Sequence, residues 1–271
     1  MSLAFLCPGQ GSQNVGMGQD IFDNSDLAKS YFETANEILD VDIQDIMFNG
    51  PEQSLKQTQY TQPALYIVAV TIGLLLMEKG IKPTSVAGHS LGEYSAYTIA
   101  GSFDFETGLK IVKVRANSMQ NAGEDQPGTM AAIIGLDDET VMKITDNISG
   151  TVVVANFNSP GQVVISGAIE AVNSAMTAAK ESGARMVIPL NVSGAFHSPL
   201  MSSAREHFAE MIDSIEISNS MIPVYSNVSA APVTRAAEIR EAMINQLETP
   251  VLWSQTISNM ARSGIDHFME V

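Results

Sequence analysis

The segment VAGHSLGEYSAYTIAG, residues 86–101, limits the possible folds of this chain more than any other stretch of the sequence. Ser90 stands in a G-x-S-x-G motif, between the strand-like run TSVAG and a helical segment that ends at Gly101. Small residues beside a serine permit a sharp strand-to-helix turn, which exposes the hydroxyl group and directs the next backbone N–H towards an oxyanion. The motif predicts an α/β unit with Ser90 as a nucleophile. The alternative is a helix cap whose glycines allow close packing.

Strand-like and helical segments alternate along the chain, as in α/β proteins. From Gly128 the order changes to βαββαβ, which is typical of a ferredoxin-like subdomain. We therefore expect a large α/β domain formed by residues 1–124 and 195–271, with residues 125–194 inserted as the ferredoxin-like subdomain.

The composition excludes several classes of partner. Acidic residues outnumber basic ones by 30 to 14, a formal charge of −16, which disfavours binding to nucleic acid or to an anionic membrane. A single cysteine, Cys7, excludes an intramolecular disulfide framework, and the first residues have no basic flank or cleavage pattern, so we expect a cytoplasmic protein. The longest apolar stretch, Ala64–Met77, is too short for a bilayer of roughly 30 Å and predicts a buried helix with Pro63 in its first turn.

A serine nucleophile requires a base, and the chain contains four histidines: His89, His197, His207 and His267. His89 lies within the serine motif, His207 is expected on a helix surface, and His267 on a terminal strand. His197, in NVSGAFHSPLM, falls on a loop between a strand and a helix, where functional side chains are often placed. It is the candidate base, although a lone loop histidine is more often simply solvated.

The sequence offers no convincing acid to orient that base. The triad order of an α/β-hydrolase leaves Asp104, Asp125, Asp137 and Asp138 as candidates. Asp137 and Asp138 begin a predicted helix and are better explained as helix caps. We therefore expect a group other than a carboxylate to orient the histidine.

Two further features lie outside the serine motif. The loop PGQG follows the first strand, but Asn14 occupies the third glycine position of G-x-G-x-x-G, so we expect an oxyanion donor there and not a nucleotide loop. Arg115 borders the apolar stripe of a predicted helix and has no acid one turn away. Its side chain either extends along the surface to water or awaits a carboxylate.

Several motifs occur in a fixed order from Phe5 to the C-terminus: PGQGSQ, TQPAL, GHSLGEY, VRANSMQ, GTMAAIIGL, NFNSPGQVVISG, GAFHS and QLETPVLW. Together they resemble the malonyl-CoA:acyl carrier protein transacylases, the malonyl-loading enzymes of fatty-acid synthesis. The resemblance implies a hydrolase-like, mostly parallel sheet with an inserted ferredoxin-like subdomain.

The same resemblance implies a role for each candidate residue. Ser90 would carry the acyl group as an ester and His197 would be the base. The backbone carbonyl of Gln246 would accept a hydrogen bond from His197 in place of the missing acid, so that substituting Gln246 should have a smaller effect than substituting Ser90 or His197. The backbone N–H groups of Gln10 and Leu91 would form the oxyanion hole.

Substrate recognition is implied in the same way. Arg115 would hold the free carboxylate of the malonyl group, and Asn158 would line the same cleft. The partners would be malonyl-CoA and acyl carrier protein in a ping-pong cycle, with coenzyme A as a substrate, no further cofactor, no metal and a monomeric enzyme. Arg185 and Lys180, on the predicted subdomain, are candidate contacts for the carrier protein.

The sequence departs from the family pattern at two places and leaves several alternative functions open. Family members continue beyond the final EV, whereas this sequence stops at Val271, and Ala116 replaces the glycine that usually follows the arginine. Neither departure is expected to change the chemistry. The alternatives are a polyketide-pathway acyltransferase, a serine thioesterase or hydrolase, and a noncatalytic acyl-binding protein.

Overall fold

The computed structural model describes residues 2–271. Its strands are β1 (Leu3–Cys7), β2 (Ser85–Gly88), β3 (Gly128–Ile134), β4 (Val152–Ser159), β5 (Gln162–Ala168), β6 (Met186–Pro189), β7 (Val224–Tyr225), β8 (Pro232–Val233) and β9 (His267–Glu270). Its helices are α1 (Gln19–Asn24), α2 (Asp26–Leu39), α3 (Ile43–Asn49), α4 (Glu52–Leu55), α5 (Thr58–Glu78), α6 (Gly92–Ile99), α7 (Phe105–Asp125), α8 (Asp138–Asn147), α9 (Ile169–Glu181), α10 (Ser202–Asp213), α11 (Ala236–Asn245) and α12 (Trp253–Arg262). A single turn of 3-10 helix, Pro199–Met201, precedes α10.

The first sheet, sheet A, has the strand order β8-β7-β2-β1-β9 and is parallel except for the β7–β8 pair. Its central strands are buried on both faces, as is usual for parallel sheets. Phe5 and Val86 belong to the main hydrophobic core, whereas Ala4 and Ala87 pack in a smaller cluster with Met260 of α12. The mostly parallel sheet predicted for the fold is confirmed.

The second sheet, sheet B, is antiparallel with the order β4-β5-β3-β6, and its strands lie within residues 128–189. Alternate residues of β3 point to opposite faces. Ala131 and Ile133 belong to a separate core with α8 and α9, while Met130 and Ala132 belong to the main core. The ferredoxin-like element order is therefore as predicted, whereas the exact domain boundaries remain a prediction.

Backbone hydrogen bonds connect β4 of sheet B to the segment just before α12. The N–H of Phe157 donates to the carbonyl of Val251 at 2.9 Å, and the N–H of Val251 donates to the carbonyl of Ala155 at 2.8 Å. Because these bonds fix one end of β4 against the large domain, the polar residues of β4 face the carboxyl ends of the strands of sheet A.

Helix α5 differs from its predicted form. It begins at Thr58, ahead of Pro63, and runs for 21 residues. The extra turn forms because Thr61 and Gln62 are buried there, and the proline removes only its own N–H from the hydrogen-bond ladder. By length and composition this helix could cross a membrane, but 61% of its most apolar window is buried inside the protein, as in the core helix of a globular protein. The prediction of a buried helix holds, but the predicted start was wrong.

Candidate active site

Ser90 occupies the sharp turn between β2 and α6. Its backbone φ of 51° lies in the left-handed region, which is strained for a residue with a side chain. The flanking glycines are required by close backbone contacts. A Cβ atom on Gly88 would lie 1.9 Å from the carbonyl carbon of Gly92, and one on Gly92 would lie 2.1 Å from the carbonyl oxygen of Cys7. The turn therefore exposes the Ser90 hydroxyl at the carboxyl end of β2, beside β1.

His197 lies within hydrogen-bond distance of Ser90. The distance from Ser90 Oγ to His197 Nε2 is 2.8 Å, and that from His197 Nδ1 to the backbone oxygen of Gln246 is also 2.8 Å. A carbonyl oxygen only accepts, so Nδ1 carries the imidazole proton and Nε2 is free to accept the proton of Ser90. The backbone carbonyl of Gln246 therefore stands where a triad acid would be.

The surroundings of His197 keep its imidazole neutral. The side chain is 3% exposed, and burial lowers its pKa to about 3, with a further lowering by the positive charge of Arg115. A neutral imidazole is the form that accepts a proton from a hydroxyl group.

Arg115 on α7 is also buried, with 1% of its surface exposed, so of the two interpretations that the sequence left open, the side chain that extends to water does not apply. Its Nη1 donates to Gln62 Oε1 at 2.7 Å, and its Nη2 donates to Ser90 Oγ at 3.1 Å and to Gln246 Oε1 at 3.0 Å. The guanidinium carbon lies 4.9 Å from the centre of the Tyr94 ring. All three hydrogen bonds go to neutral oxygen atoms, so the cation has no carboxylate bonded to it.

Gln10 and Leu91, the residues expected to supply the oxyanion hole, both line the cavity that contains Ser90. Gln10 follows β1, and the adjacent Gly9 lies so close to the turn that a Cβ on it would be 2.5 Å from the carbonyl oxygen of His89. Within residues 2–271 neither N–H donates a hydrogen bond, and both residues line the same cavity as Ser90. Two unpaired donors beside a nucleophile can stabilise an oxyanion.

The cavity above Ser90 has a volume of about 150 Å³ and lies between the two sheets. Asn158 of β4 forms its opposite wall, and its Oδ1 is 2.8 Å from Nε2 of His89. The His89 ring packs edge-on against Trp253, with 5.5 Å between centroids. The residues that line the cavity are Gln10, Gln62, His89, Ser90, Leu91, Arg115, Met119, Met130, Asn156, Asn158, Val164, Leu190, Val192, Phe196 and His197.

The structure thus brings together all the site residues named from the sequence. Gln246 is the one that does not line the cavity, because it lies behind Ser90 and contacts it by hydrogen bonds. Its side chain contacts the site as well, since Oε1 accepts from Arg115 and Nε2 donates to the Ser90 carbonyl at 2.9 Å. The smaller effect expected of substituting Gln246, compared with Ser90 or His197, stays a prediction. His207 and His267 are exposed and take no part.

Two of the four rejected acids, Asp104 and Asp137, cap helices, and Asp138 lies in the first turn of α8. The carboxylates of Asp104 and Asp137 accept hydrogen bonds from the N–H groups of Thr107 and Thr140, and so cap α7 and α8. The helix-cap interpretation of Asp137 is therefore correct, and the same explanation applies to Asp104.

Sequence reasoning missed four polar residues of the site: Gln62, Glu93, Asn156 and Asn227. Gln62 was missed because α5 was expected to begin at Pro63. Glu93 is completely buried. Burial raises the pKa of its carboxyl group, while hydrogen bonds from Tyr97, Gln246 and Asn227 lower the pKa by a smaller amount. An acidic residue inside the apolar helix after the serine motif was the available signal for Glu93.

Comparison with known proteins gives consistent matches over nearly the whole chain. Residues 4–271 match the family described as acyl transferase domain. The malonyl CoA-acyl carrier protein transacylase of Bacillus subtilis (strain 168) is 41% identical over 272 residues, which cover 99% of this chain and 86% of that protein. The resemblance inferred from the motifs is therefore confirmed.

Solved structures agree. The malonyl CoA-acyl carrier protein transacylase of Coxiella burnetii is 40% identical, with a TM-score of 0.96, and the match covers 100% of this chain and 86% of that one. A malonyl-transacylase solved in complex with its type II PKS acyl-carrier protein is 38% identical, also with a TM-score of 0.96, and covers 100% and 88%.

Proposed function

This chain belongs to the acyl transferase domain family, and on that premise we propose that it transfers malonyl groups from malonyl-CoA to the phosphopantetheine thiol of an acyl carrier protein. The observation that carries the proposal is the position of Arg115. A buried cation bonded only to neutral oxygens lies 3.1 Å from the nucleophile Ser90, which suits an acyl group that ends in a carboxylate.

The first half-reaction loads Ser90. Nε2 of His197 takes the hydroxyl proton while Oγ attacks the thioester carbon, and the N–H groups of Gln10 and Leu91 donate to the carbonyl oxygen as it becomes negative. The carbon–sulfur bond then breaks, and His197 returns the proton to the sulfur of coenzyme A. The product is a malonyl ester of Ser90.

The second half-reaction reverses these steps with a different thiol. The phosphopantetheine thiol gives its proton to His197, and its sulfur attacks the ester carbon. The bond to Oγ breaks, and Ser90 recovers its proton from His197. As written, the cycle needs no cofactor, because coenzyme A enters as part of a substrate.

We further propose that the acyl carrier protein is the macromolecular partner of a monomeric enzyme, in fatty-acid synthesis. The net charge of −16 disfavours nucleic acid and anionic membranes as partners. A polyketide carrier protein is a second candidate, because one structural relative was solved with a type II PKS acyl-carrier protein.

Intact mass spectrometry tests the proposal directly. Incubation with malonyl-CoA should add one malonyl group to the wild-type chain and none to Ser90→Ala, whereas His197→Ala should load several orders of magnitude more slowly. Malonylation of Ser90→Ala would show that the nucleophile is wrongly identified. Adding holo acyl carrier protein should then yield malonyl carrier protein. Free malonate as the main product would instead indicate a hydrolase, and no loading of the wild-type chain would indicate a noncatalytic acyl-binding protein.

A further inference from the structure

Glu93 lies on α6, one turn after Ser90, and the proposed reaction does not use it. Its side chain is completely buried. Oε1 accepts a hydrogen bond from the Tyr97 hydroxyl at 2.6 Å. Oε2 accepts from the backbone N–H of Asn227 at 3.1 Å and from Nε2 of Gln246 at 2.6 Å. Burying a carboxyl group costs free energy unless hydrogen bonds compensate for the lost water. The partners that supply those bonds to Glu93 therefore indicate its role.

Both Oε2 partners contact the backbone of the strained turn. Oδ1 of Asn227 accepts from the Ser90 N–H at 2.7 Å, and its Nδ2 donates to the Gly88 carbonyl at 2.7 Å. Nε2 of Gln246 donates to the Ser90 carbonyl at 2.9 Å. Two amide side chains thus hold the peptide groups on both sides of a serine whose φ is 51°.

Gln246 also links this network to the other reacting groups. Its backbone carbonyl orients His197, and its Oε1 accepts from Arg115. Three contacts therefore fix the direction of the Gln246 amide: Oε1 accepts from Arg115, and Nε2 donates to the Ser90 carbonyl and to Glu93, the shortest of the three at 2.6 Å.

We propose that Glu93 is a positioning residue, which acts through Asn227 and Gln246 to hold Ser90 in the conformation that meets His197. This inference deepens the proposed function and rests on it only in taking Ser90 as the nucleophile. Glu93 does not touch the substrate. Its loss should therefore slow every reaction of Ser90, whether or not the acyl group carries a carboxylate.

The test uses an uncharged probe of Ser90, phenylmethylsulfonyl fluoride. In this reaction the Oγ–sulfur bond forms, the sulfur–fluorine bond breaks, His197 takes the proton and fluoride leaves, and the rate is followed by intact mass. We expect Glu93→Ala to slow sulfonylation by about 100-fold, the size of effect expected for a misplaced reacting group. Glu93→Gln should recover most of the rate, because its amide oxygen can accept from both Asn227 and Gln246 while its NH₂ group donates to Tyr97.

Tyr97→Phe is the matched control. It removes a hydrogen bond from the same buried carboxyl group, but on the side that has no contact with Ser90, so its sulfonylation rate should stay within about twofold of wild type while its melting temperature falls. The inference is overturned if folded Glu93→Ala reacts at the wild-type rate, if Tyr97→Phe loses as much as Glu93→Ala, or if Glu93→Gln is no faster than Glu93→Ala.

Two further measurements keep the test decisive. If Glu93→Ala does not fold, Asn227→Ala removes the link to the Ser90 N–H and must itself slow sulfonylation, and a wild-type rate in that variant refutes the network. Loading from malonyl-CoA is measured in parallel on the wild-type chain. Normal sulfonylation without malonyl loading would refute the proposed function, while the relative rates of the variants would still decide the role of Glu93.

Discussion

At the scale of single residues, Arg115 yields the sharpest prediction about substrate choice. Arg115→Ala should lower malonyl loading of Ser90 by about 30-fold to several thousand-fold, because losing one partner of a desolvated charge pair costs roughly 2–5 kcal/mol. Acetyl loading should change far less, since an acetyl group has no carboxylate to pair with the guanidinium, and only one of the three hydrogen bonds of Arg115, the 3.1 Å bond to Ser90 Oγ, reaches the nucleophile. The measurement is the rate of Ser90 acylation from malonyl-CoA and from acetyl-CoA.

Arg115→Lys is the control for that experiment. Lysine keeps the positive charge but lacks the planar fork that pairs with a carboxylate, so malonyl loading should fall between wild type and Arg115→Ala. An equal fall in malonyl and acetyl loading would mean that Arg115 supports the fold and does not recognise the malonyl carboxylate.

His197 yields a prediction about pH. An ordinary histidine loses half of its neutral form near pH 6.5, whereas burial and Arg115 lower the pKa of His197 to about 3. The rate of Ser90 sulfonylation should therefore stay level as the pH falls from neutral to about 5 and decline only in more acid solution. An inflection near pH 6.5 in the rate profile would contradict the buried, neutral base.

Whether a site residue could be predicted depends on whether its role rests on the neighbouring sequence or on hydrogen bonds to residues far along the chain. Ser90, His197 and Arg115 could be named because their functions leave a pattern in the local sequence. Glu93 and the side chain of Gln246 act through hydrogen bonds to residues more than one hundred positions away, such as Asn227 and Ser90. An acidic residue inside the apolar helix α6 singles out Glu93 itself, but no local pattern encodes its distant partners.

At the scale of secondary-structure elements, the contact between α6 and β1 determines whether the turn can form. Gly92→Ala should lower the free energy of unfolding by about 3 kcal/mol or more, since its Cβ would lie 2.1 Å from the Cys7 carbonyl oxygen. Gly80→Ala is the control. Gly80 has a φ of 84°, and a Cβ built on it would have no non-neighbouring heavy atom within 4 Å. The Gly80→Ala substitution should therefore cost only about 1–2 kcal/mol. Urea unfolding of both variants measures the difference, and equal costs would contradict a tight contact between α6 and β1.

The elements themselves were largely predictable, because apolar periodicity and turn residues are local properties. The start of α5 was not, since burial of Thr61 and Gln62 against the rest of the protein outweighs the usual preference of proline for the first turn. That boundary also decided whether Gln62 could be recognised as a partner of Arg115.

At the scale of the whole molecule, Arg185 tests how an enzyme with a net charge of −16 docks a carrier protein. Arg185 is exposed beside β6, and Ile134 of β3 pairs with both Met186 and Gln162. Gln162 lines a cleft that shares Gln10, His89 and Asn158 with the active-site cavity. Arg185 therefore lies at the same end of sheet B as this cleft.

Arg185→Glu should raise the KM for the carrier protein and leave malonyl-CoA loading unchanged, because a charge at the rim of an interface acts mainly on the encounter. Arg262→Glu, an equal charge reversal at the exposed last residue of α12, should change neither half-reaction. An equal effect of Arg185→Glu on both half-reactions would instead indicate damage to the active site.

The two sheets differ in how far apart in the sequence their paired strands lie, and we expect this difference to set the order in which they fold. Sheet B is assembled from one continuous stretch, whereas sheet A pairs Leu3 with His267 and Val86 with Val224. Non-local pairs form slowly because long loops must close first. Ser90 needs both ends of that long closure, since Asn227 and Gln246 hold its turn. We therefore expect catalytic competence to be the last property that a folding molecule acquires, so that a partly folded chain would lack a reactive serine with which to capture an acyl group.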